Sequence, residues 1–163
     1  MRVAIVDDEE LARKIVREYL VDVEDVEIVA ECANGFEAVK AVTDLKPDLL
    51  LLDIQMPRLD GFEVLELVGR EVSVIFVTAY DKYALRAFEV HAVDYLLKPF
   101  TPDRLRKALI RARGRLDSRQ PFPATEVAAA ARAPGAHLER VAIRDGANVH
   151  VIPVSKIDYV EAQ

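Results

Sequence analysis

The most constraining feature of the sequence is a run of four leucines, Leu49 to Leu52, that is followed directly by Asp53. A strand with no polar alternation is typical of the centre of a parallel sheet that helices cover on both faces. The chain of 163 residues is 52% hydrophobic, which supplies enough apolar surface for such a core. The run therefore predicts a central, fully buried strand with a carboxylate at its end.

Four further apolar runs have the length and composition of strands. With the leucine run, the five predicted strands cover residues 2–6, 26–31, 49–53, 72–77 and 93–97. Stretches long enough for one helix separate them, and crossovers this short force neighbouring strands to run parallel. The pattern predicts an α/β fold in which a parallel sheet is covered by helices on both faces.

Apolar residues recur at intervals of three and four between the runs, which is the period of amphipathic helices. The stripe positions are Ala12, Ile15, Val16 and Tyr19, then Ala38, Ala41, Val42 and Leu45, then Leu105, Leu109, Ala112 and Leu116. Asp60 before Gly61 and Thr101 before Pro102 are typical helix starts, because each supplies a capping oxygen. Residues 1–116 are therefore predicted to form a doubly wound (βα)₅ domain.

The composition changes after residue 116. Residues 117–137 are rich in proline and alanine and are interpreted as a linker. Two apolar runs around Asp145-Gly146 predict a hairpin, and residues 157–160 predict a third strand. Because so short a segment cannot hold a core alone, residues 138–163 are interpreted as the start of a domain that is incomplete here.

Composition also excludes several functional classes. The net charge is −6, so neither half of the chain has the basic surface typical of nucleic-acid binding, and the basic residues between 103 and 115 are interpreted as a solvated or subunit-facing helix face. Cys32 is the only cysteine, which excludes disulfide frameworks. No apolar run approaches the ~18–20 residues of a membrane helix, so we expect no membrane contact and a cytoplasmic location.

Polar side chains stand where four of the predicted strands end. They are Asp7 and Asp8, then Asp53, Thr78 and Lys98. Ligands of open parallel sheets bind beyond the carboxyl ends of the strands. Clustered carboxylates favour Mg²⁺, and a central carboxylate beside a lysine can attack a phosphoryl group. The sequence therefore predicts that Asp53 forms an aspartyl phosphate, with Asp7, Asp8 and Asp53 as ligands of Mg²⁺.

With their neighbours, these residues resemble the receiver domain of two-component response regulators. The resemblance covers nearly the whole of residues 1–116 and extends to Met56-Pro57, Gly61, Thr78-Ala79 and the run from Asp94 to Phe100. It implies a flavodoxin-like fold whose five parallel strands lie in the order 2-1-3-4-5. It also implies a switch protein without independent substrate turnover.

The resemblance assigns roles to individual residues. Asp53 would accept a phosphoryl group from a sensor histidine kinase, and Lys98 would contact it. Thr78 and Tyr95 would form the switch pair, with Tyr95 turning inward after phosphorylation. Positions that tune the phosphate lifetime in the family correspond to Gln55 and Tyr80. Receivers commonly form a homodimer on phosphorylation, through the fifth strand and its flanking helices, and the same is expected here.

The tail carries a second resemblance. Residues 140–161, with the Ala-Ile-Arg-Asp-Gly hairpin, are similar to the opening strands of a LytTR-type (LytR/AlgR family) DNA-binding domain. A complete domain of this type needs roughly another 70–80 residues. We therefore expect DNA binding and control of transcription only through the complete output domain, and not by this chain alone.

Two alternatives remain open from the sequence. A haloacid-dehalogenase-like aspartyl-phosphate phosphatase uses an aspartate, Mg²⁺, a hydroxyl residue and a lysine, but it carries a second aspartate where this chain has Gln55. An interaction module with an unused acidic pocket is the other alternative. The presence of Thr78 and Lys98 beside the acids argues against it, since an unused site needs neither.

Overall fold

A computed structural model of the protein describes residues 1–69, 72–118, 140–145 and 148–153. Its main body alternates strands and helices as β1 (Arg2–Val6), α1 (Glu10–Leu20), β2 (Glu27–Cys32), α2 (Gly35–Leu45), β3 (Leu49–Leu52), α3 (Gly61–Val68), β4 (Ser73–Thr78), α4 (Ala84–Glu89), β5 (Asp94–Leu97) and α5 (Pro102–Ser118). None of the described helices has the length and apolarity that crossing a membrane requires.

The five strands form one parallel sheet in the order β2-β1-β3-β4-β5. This confirms the predicted doubly wound fold and its strand order. β1 has the predicted bounds, and the other strands differ from their predicted bounds by one residue at one or both ends. Asp53 lies just beyond β3, but its backbone N–H still donates to the Val6 carbonyl at 2.8 Å. The sheet thus fixes the backbone of Asp53 although the residue itself is in a loop.

The leucine run is buried on both faces of the sheet, as predicted, with each of its four side chains at most 1% exposed. Leu50 and Leu52 belong to the core on one side, where α2, α3 and α4 pack. Leu49 and Leu51 belong to the core on the other side, where α1 and α5 pack. We refer to these two sides as the α2/α3/α4 face and the α1/α5 face.

Three residues of the predicted helical stripes are exposed. Ile15, Leu45 and Leu116 are 37%, 38% and 40% exposed, so their assignment to the covered faces was wrong. On α1 the buried positions are Val16 and Leu20, which leaves Ile15 on the flank of the stripe. The 17 residues of α5 span about 25 Å, whereas the four residues of β5 span about 13 Å. The last turns of α5 therefore extend past the strand that they follow.

The predicted helix starts are present. The Asp60 carboxylate accepts from the backbone N–H groups of Phe62 and Glu63, both at 2.8 Å, while the Glu63 carboxylate accepts from the Asp60 N–H at 2.7 Å. This capping box begins α3 directly after the loop that carries Asp53. At α5, the Thr101 hydroxyl accepts from the Arg104 N–H at 3.3 Å.

Asp94 is fully buried and is held by two arginines of α5. Arg104 donates to both of its carboxylate oxygens, at 2.9 and 2.7 Å, and Arg111 donates to one of them at 2.8 Å. Arg104 also donates to the backbone carbonyl of Tyr95 at 3.1 Å. The interpretation of all the basic residues of this segment as a solvated face was therefore wrong, because two of them anchor α5 to β5.

The tail contributes an antiparallel pair, β6 (Arg140–Asp145) and β7 (Asn148–Pro153). These strands agree with the predicted hairpin. The third predicted strand, at residues 157–160, lies outside the described residues, as does the part of the predicted linker after Ser118. α5 itself continues to Ser118, two residues past the predicted domain boundary.

We predict that Asp94→Asn lowers the free energy of unfolding by about 3 kcal/mol, because two arginines lose their buried counter-charge. The matched control is Asp103→Asn on α5, the helix that carries the two arginines. Its side chain is 81% exposed and pairs with Arg106, so the change is expected to cost less than about 1 kcal/mol. Urea unfolding of both variants measures the difference. Equal losses would contradict a structural role for the buried pair.

We predict that Gly61→Ala destabilises the protein by about 1–3 kcal/mol, the usual cost of overpacking. A Cβ at this position would lie 2.4 Å from the Asp53 carbonyl oxygen and 3.0 Å from the Cα of Ile54, both of which are backbone atoms. Gly114→Ala in α5 is the control, since its Cβ would meet no atom within 4 Å and alanine favours a helix by up to about 1 kcal/mol. In thermal unfolding, the melting temperature should therefore fall for Gly61→Ala and rise for Gly114→Ala.

Candidate functional site

The site lies where the carboxyl ends of four strands meet. Asp7, Asp53 and Lys98 each follow the last residue of a strand, and Thr78 is the last residue of β4. Val6 is paired with Leu52, and Thr78 with Leu97, so the strands end at one level. The structure therefore brings together the residues that the sequence analysis placed at one edge of the sheet.

Lys98 lies between two buried carboxylates. Its Nζ is 2.6 Å from Oδ2 of Asp7 and 3.1 Å from Oδ2 of Asp53. The other oxygen of each carboxylate accepts from a backbone N–H, that of Glu9 at 3.0 Å for Asp7 and that of Gln55 at 3.3 Å for Asp53. One ammonium thus serves two carboxylates, and the formal charge of the three groups remains negative.

Asp7, Asp8 and Asp53 form a group that could hold a cation. One oxygen from each lies within 4.8 Å of an oxygen of the others, with Asp7 and Asp53 buried and Asp8 exposed. An all-carboxylate set with one member open to solvent suits a hard cation that keeps part of its water shell, as Mg²⁺ does.

The electrostatics of the site favour additional positive charge. Burial raises the pKa of the Asp7 carboxyl, and the hydrogen bond and charge of Lys98 only partly offset this effect. Burial acts to lower the pKa of Lys98, but the hydrogen bonds and charges of Asp7 and Asp53 outweigh it, and that pKa is raised as well. The raised pKa of Lys98 reflects two carboxylates around one ammonium, and that count leaves the site short of positive charge.

Thr78 presents a hydroxyl that is fully buried and has no hydrogen-bond partner among the described residues. Its backbone carbonyl accepts from the Lys98 N–H at 2.8 Å, which fixes the two residues side by side. A buried polar group without a partner costs about 1–3 kcal/mol, and most buried polar groups avoid this cost. Among the described residues, the Thr78 hydroxyl therefore has an unused hydrogen-bond donor.

Tyr95 is fully buried beneath this region, with its ring centroid 6.4 Å from that of Phe76. Its hydroxyl donates to the backbone carbonyl of Tyr80. Burial raises the pKa of the Tyr95 phenol, so the side chain is neutral at ordinary pH. The ring occupies the inward position in this structure.

A cleft of about 390 Å³ adjoins the carboxylates, and its lining includes Asp8, Gln55 and Tyr83. Gln55 is exposed, and its Nε2 donates to the Tyr83 hydroxyl oxygen at 2.8 Å. The Tyr80 ring, 42% exposed, packs edge to face against the Tyr83 ring at 6.2 Å. The two residues expected to tune the phosphate lifetime therefore both contact Tyr83.

The sequence analysis missed two residues at the site. Tyr83 is one, and the signal that could have indicated it is an aromatic residue just before α4. Arg13 is the other: its Nη1 donates to the backbone carbonyl of Asp7 at 2.7 Å. A basic residue one turn into the helix after Asp7 and Asp8 was the available signal, but it is also a common surface feature.

Comparisons with known proteins agree with this geometry. The sequence model of the response regulator receiver domain matches residues 3–110, which is more than half of the chain. The transcriptional regulatory protein BtsR of Salmonella typhi is 52% identical over 115 residues, which cover 69% of this chain and 48% of that protein. An uncharacterised response regulatory protein of Shewanella oneidensis is 40% identical over 158 residues, which cover 96% of this chain and 63% of that protein. The chain spans about half the length of most of the curated relatives that it matches.

A solved structure gives the same assignment. The REC domain of AraT, a response regulator from Geobacillus stearothermophilus, is 33% identical with a TM-score of 0.66. The match covers 73% of this chain and 97% of the AraT domain, so nearly the whole AraT domain has a counterpart in this chain. From the sequence match, the strand order and the residues at the strand ends, we conclude that the chain belongs to the response regulator receiver domain family.

Proposed function

We propose that this chain is a phosphorylation-controlled switch in which Asp53 accepts a phosphoryl group from a sensor histidine kinase. The observation that carries the proposal is the arrangement around Asp53. A lysine ammonium is 3.1 Å from its carboxylate, and the nearby strand end of β4 carries a buried hydroxyl with no hydrogen-bond partner in the part of the chain that the structure describes. These are a nucleophile, a cation and a donor for phosphoryl oxygens.

The chemistry is a transfer between two residues. An oxygen of Asp53 attacks phosphorus, the phosphorus–nitrogen bond to the kinase histidine breaks, and the imidazole nitrogen leaves with the bonding electron pair. Lys98 offsets the charge that the entering phosphoryl group adds. The product is an acyl phosphate on Asp53, which regenerates the carboxylate and inorganic phosphate when water attacks it. The chain therefore catalyses reactions on itself and has no independent substrate turnover.

Asp7, Asp8 and Asp53 would hold Mg²⁺ in this proposal. The donor set fits, because three carboxylate oxygens lie within 4.8 Å of one another and the site is short of positive charge. When bound, the ion supplies charge that offsets repulsion between the carboxylates and the phosphoryl oxygens. The residues of the chain supply the nucleophile and the remaining hydrogen bonds.

Thr78 and Tyr95 would convert phosphorylation into a change of surface. The Thr78 hydroxyl would donate to a phosphoryl oxygen and move toward it. Tyr95 lies in the adjacent strand. Its hydroxyl donates to the Tyr80 carbonyl, and its own backbone carbonyl accepts from Arg104. A shift at Thr78 could therefore be transmitted to the surface formed by α4, β5 and α5. Gln55 and Tyr80 flank the site and would tune the phosphate lifetime.

The proposed output is control of transcription through a domain that continues beyond this chain. Relatives of about twice the matched length carry the name transcriptional regulatory protein, and the match to the Shewanella oneidensis protein continues through the tail. The paired strands β6 and β7 fit the start of a LytTR-type DNA-binding domain. Specific DNA binding would need the complete output domain.

The phosphatase alternative has no support at the site. A haloacid-dehalogenase-like enzyme needs a second acid two residues after its nucleophile, and that position holds Gln55, an amide hydrogen-bonded to Tyr83. An amide cannot act as a general acid or base near neutral pH. The interaction-module alternative gives no role to Lys98 or to the buried Thr78 hydroxyl, which no described residue binds.

We predict that acetyl phosphate with Mg²⁺ adds a single phosphoryl group to the chain, and that Asp53→Asn or chelation of the metal prevents it. The reason is that the attack needs the Asp53 carboxylate and a cation to screen it. Intact-mass spectrometry measures the adduct, and Asp103→Asn, which changes an exposed aspartate on α5, is the control that keeps it. An adduct that still forms in Asp53→Asn would contradict the assignment of Asp53 as the phosphoacceptor.

We predict that beryllofluoride with Mg²⁺ shifts the chain from monomer to homodimer, because the α4–β5–α5 surface changes. Sedimentation velocity measures the shift. The matched control ends the chain at Leu116, since the strand edges of the tail could pair between chains for unrelated reasons. A monomer throughout would refute the prediction, and a dimer that disappears with the tail would assign pairing to the tail instead.

A further inference from the structure

We propose that the hydrogen bond between Gln55 and Tyr83 closes one side of the cleft beside Asp53 and slows hydrolysis of the phosphoryl group there. Tyr83 would be a positioning residue that acts through Gln55. The inference rests on the proposed phosphorylation of Asp53 and adds a residue that sets how long the signal lasts.

The first support is where the pair lies. Gln55 is two residues after Asp53, and its backbone N–H contacts the Asp53 carboxylate at 3.3 Å. Its side chain extends into the cleft that Asp8 also lines, and it reaches Tyr83 at the start of α4, 28 residues further along the chain. The bond therefore connects the loop after β3 with the loop after β4, at the cleft that Asp8, Gln55 and Tyr83 line.

The second support is that the Tyr83 ring is held in place. It packs edge to face against the core ring of Phe62 at 6.0 Å and against Tyr80 at 6.2 Å. The ammonium of Lys82 lies 4.8 Å from the centre of the Tyr83 ring. Because the ring is fixed, its hydroxyl has a fixed position. The Gln55 side chain that binds it is therefore restricted more strongly than it would be by a hydrogen bond to a mobile partner.

The third support is the chemistry of the amide. Hydrolysis needs a water whose oxygen attacks phosphorus, while the bond from phosphorus to the Asp53 oxygen breaks and inorganic phosphate leaves. A free glutamine beside a phosphoryl group can orient such a water, as the glutamine of GTPases does. A glutamine that donates to Tyr83 is held away from this task, and the two side chains narrow the route that water would take.

The test measures the lifetime of the phosphoryl group. The chain is loaded with acetyl phosphate and Mg²⁺, the donor is removed, and loss of the adduct is followed by intact-mass spectrometry. Tyr83→Phe keeps the ring and deletes only the hydroxyl. We expect it to shorten the lifetime roughly two- to tenfold, the change that one ordinary hydrogen bond can produce, with no change in melting temperature.

Three further variants make the test specific. In a Gln55→Ala background, Tyr83→Phe should have no additional effect, because the partner of the hydroxyl is gone. Tyr19→Phe is the matched control, since it deletes the hydroxyl of a half-buried tyrosine that packs against Phe100 on the α1/α5 face. Its lifetime should equal that of the wild type.

The outcomes separate this inference from the proposed function. An unchanged lifetime in Tyr83→Phe, or an equal shortening with and without Gln55, overturns the inference and leaves the phosphoacceptor intact. A wild-type chain that takes up no phosphoryl group overturns the proposed function, and this inference with it.

Discussion

The structure of the site depends on one lysine that is shared by two buried carboxylates. Asp7 and Asp53 come from neighbouring central strands and would repel each other in a medium of low polarity without a cation between them. Lys98 reaches them from the far strand β5, and its backbone N–H is fixed to the Thr78 carbonyl. The ends of β1, β3, β4 and β5 are thus tied together by the same few bonds that leave the site short of positive charge.

A comparison between Asp94 and Asp53 separates a structural carboxylate from the proposed phosphoacceptor. Both are buried, yet Asp94 receives three hydrogen bonds from two arginines and a fourth from the Tyr95 N–H. Asp53 receives one from Lys98, which it shares with Asp7, and one longer bond from Gln55. Asp94 has no remaining capacity for a ligand, whereas Asp53 does. Burial alone would not distinguish the two, but the completeness of their partners does.

Local pattern was sufficient to predict the fold and most of the site. An unbroken leucine run that ends in an aspartate favours a strand covered on both faces. Parallel strands bring their carboxyl ends together, so the grouping of Asp7, Asp53 and Lys98 follows from topology. What the sequence could not give depends on distant pairing. The ion pair between Arg104 and Asp94 depends on how α5 is positioned along β5, and the helical period of the sequence does not specify that position. The contact between Gln55 and Tyr83 depends on two rotamers from loops far apart in the chain.

The two cores between which Leu49 to Leu52 alternate also differ in their content of aromatic residues. Among the described residues, the fully packed rings of Phe62, Phe76 and Tyr95 all lie on the α2/α3/α4 face, while the buried core of the α1/α5 face is entirely aliphatic. The chain has no tryptophan. Near-ultraviolet circular dichroism would therefore sense chiefly the α2/α3/α4 face, whereas methyl resonances of valine, isoleucine and leucine report on both faces. A rearrangement that shifts methyl resonances but leaves the near-ultraviolet spectrum unchanged would therefore point to the α1/α5 face.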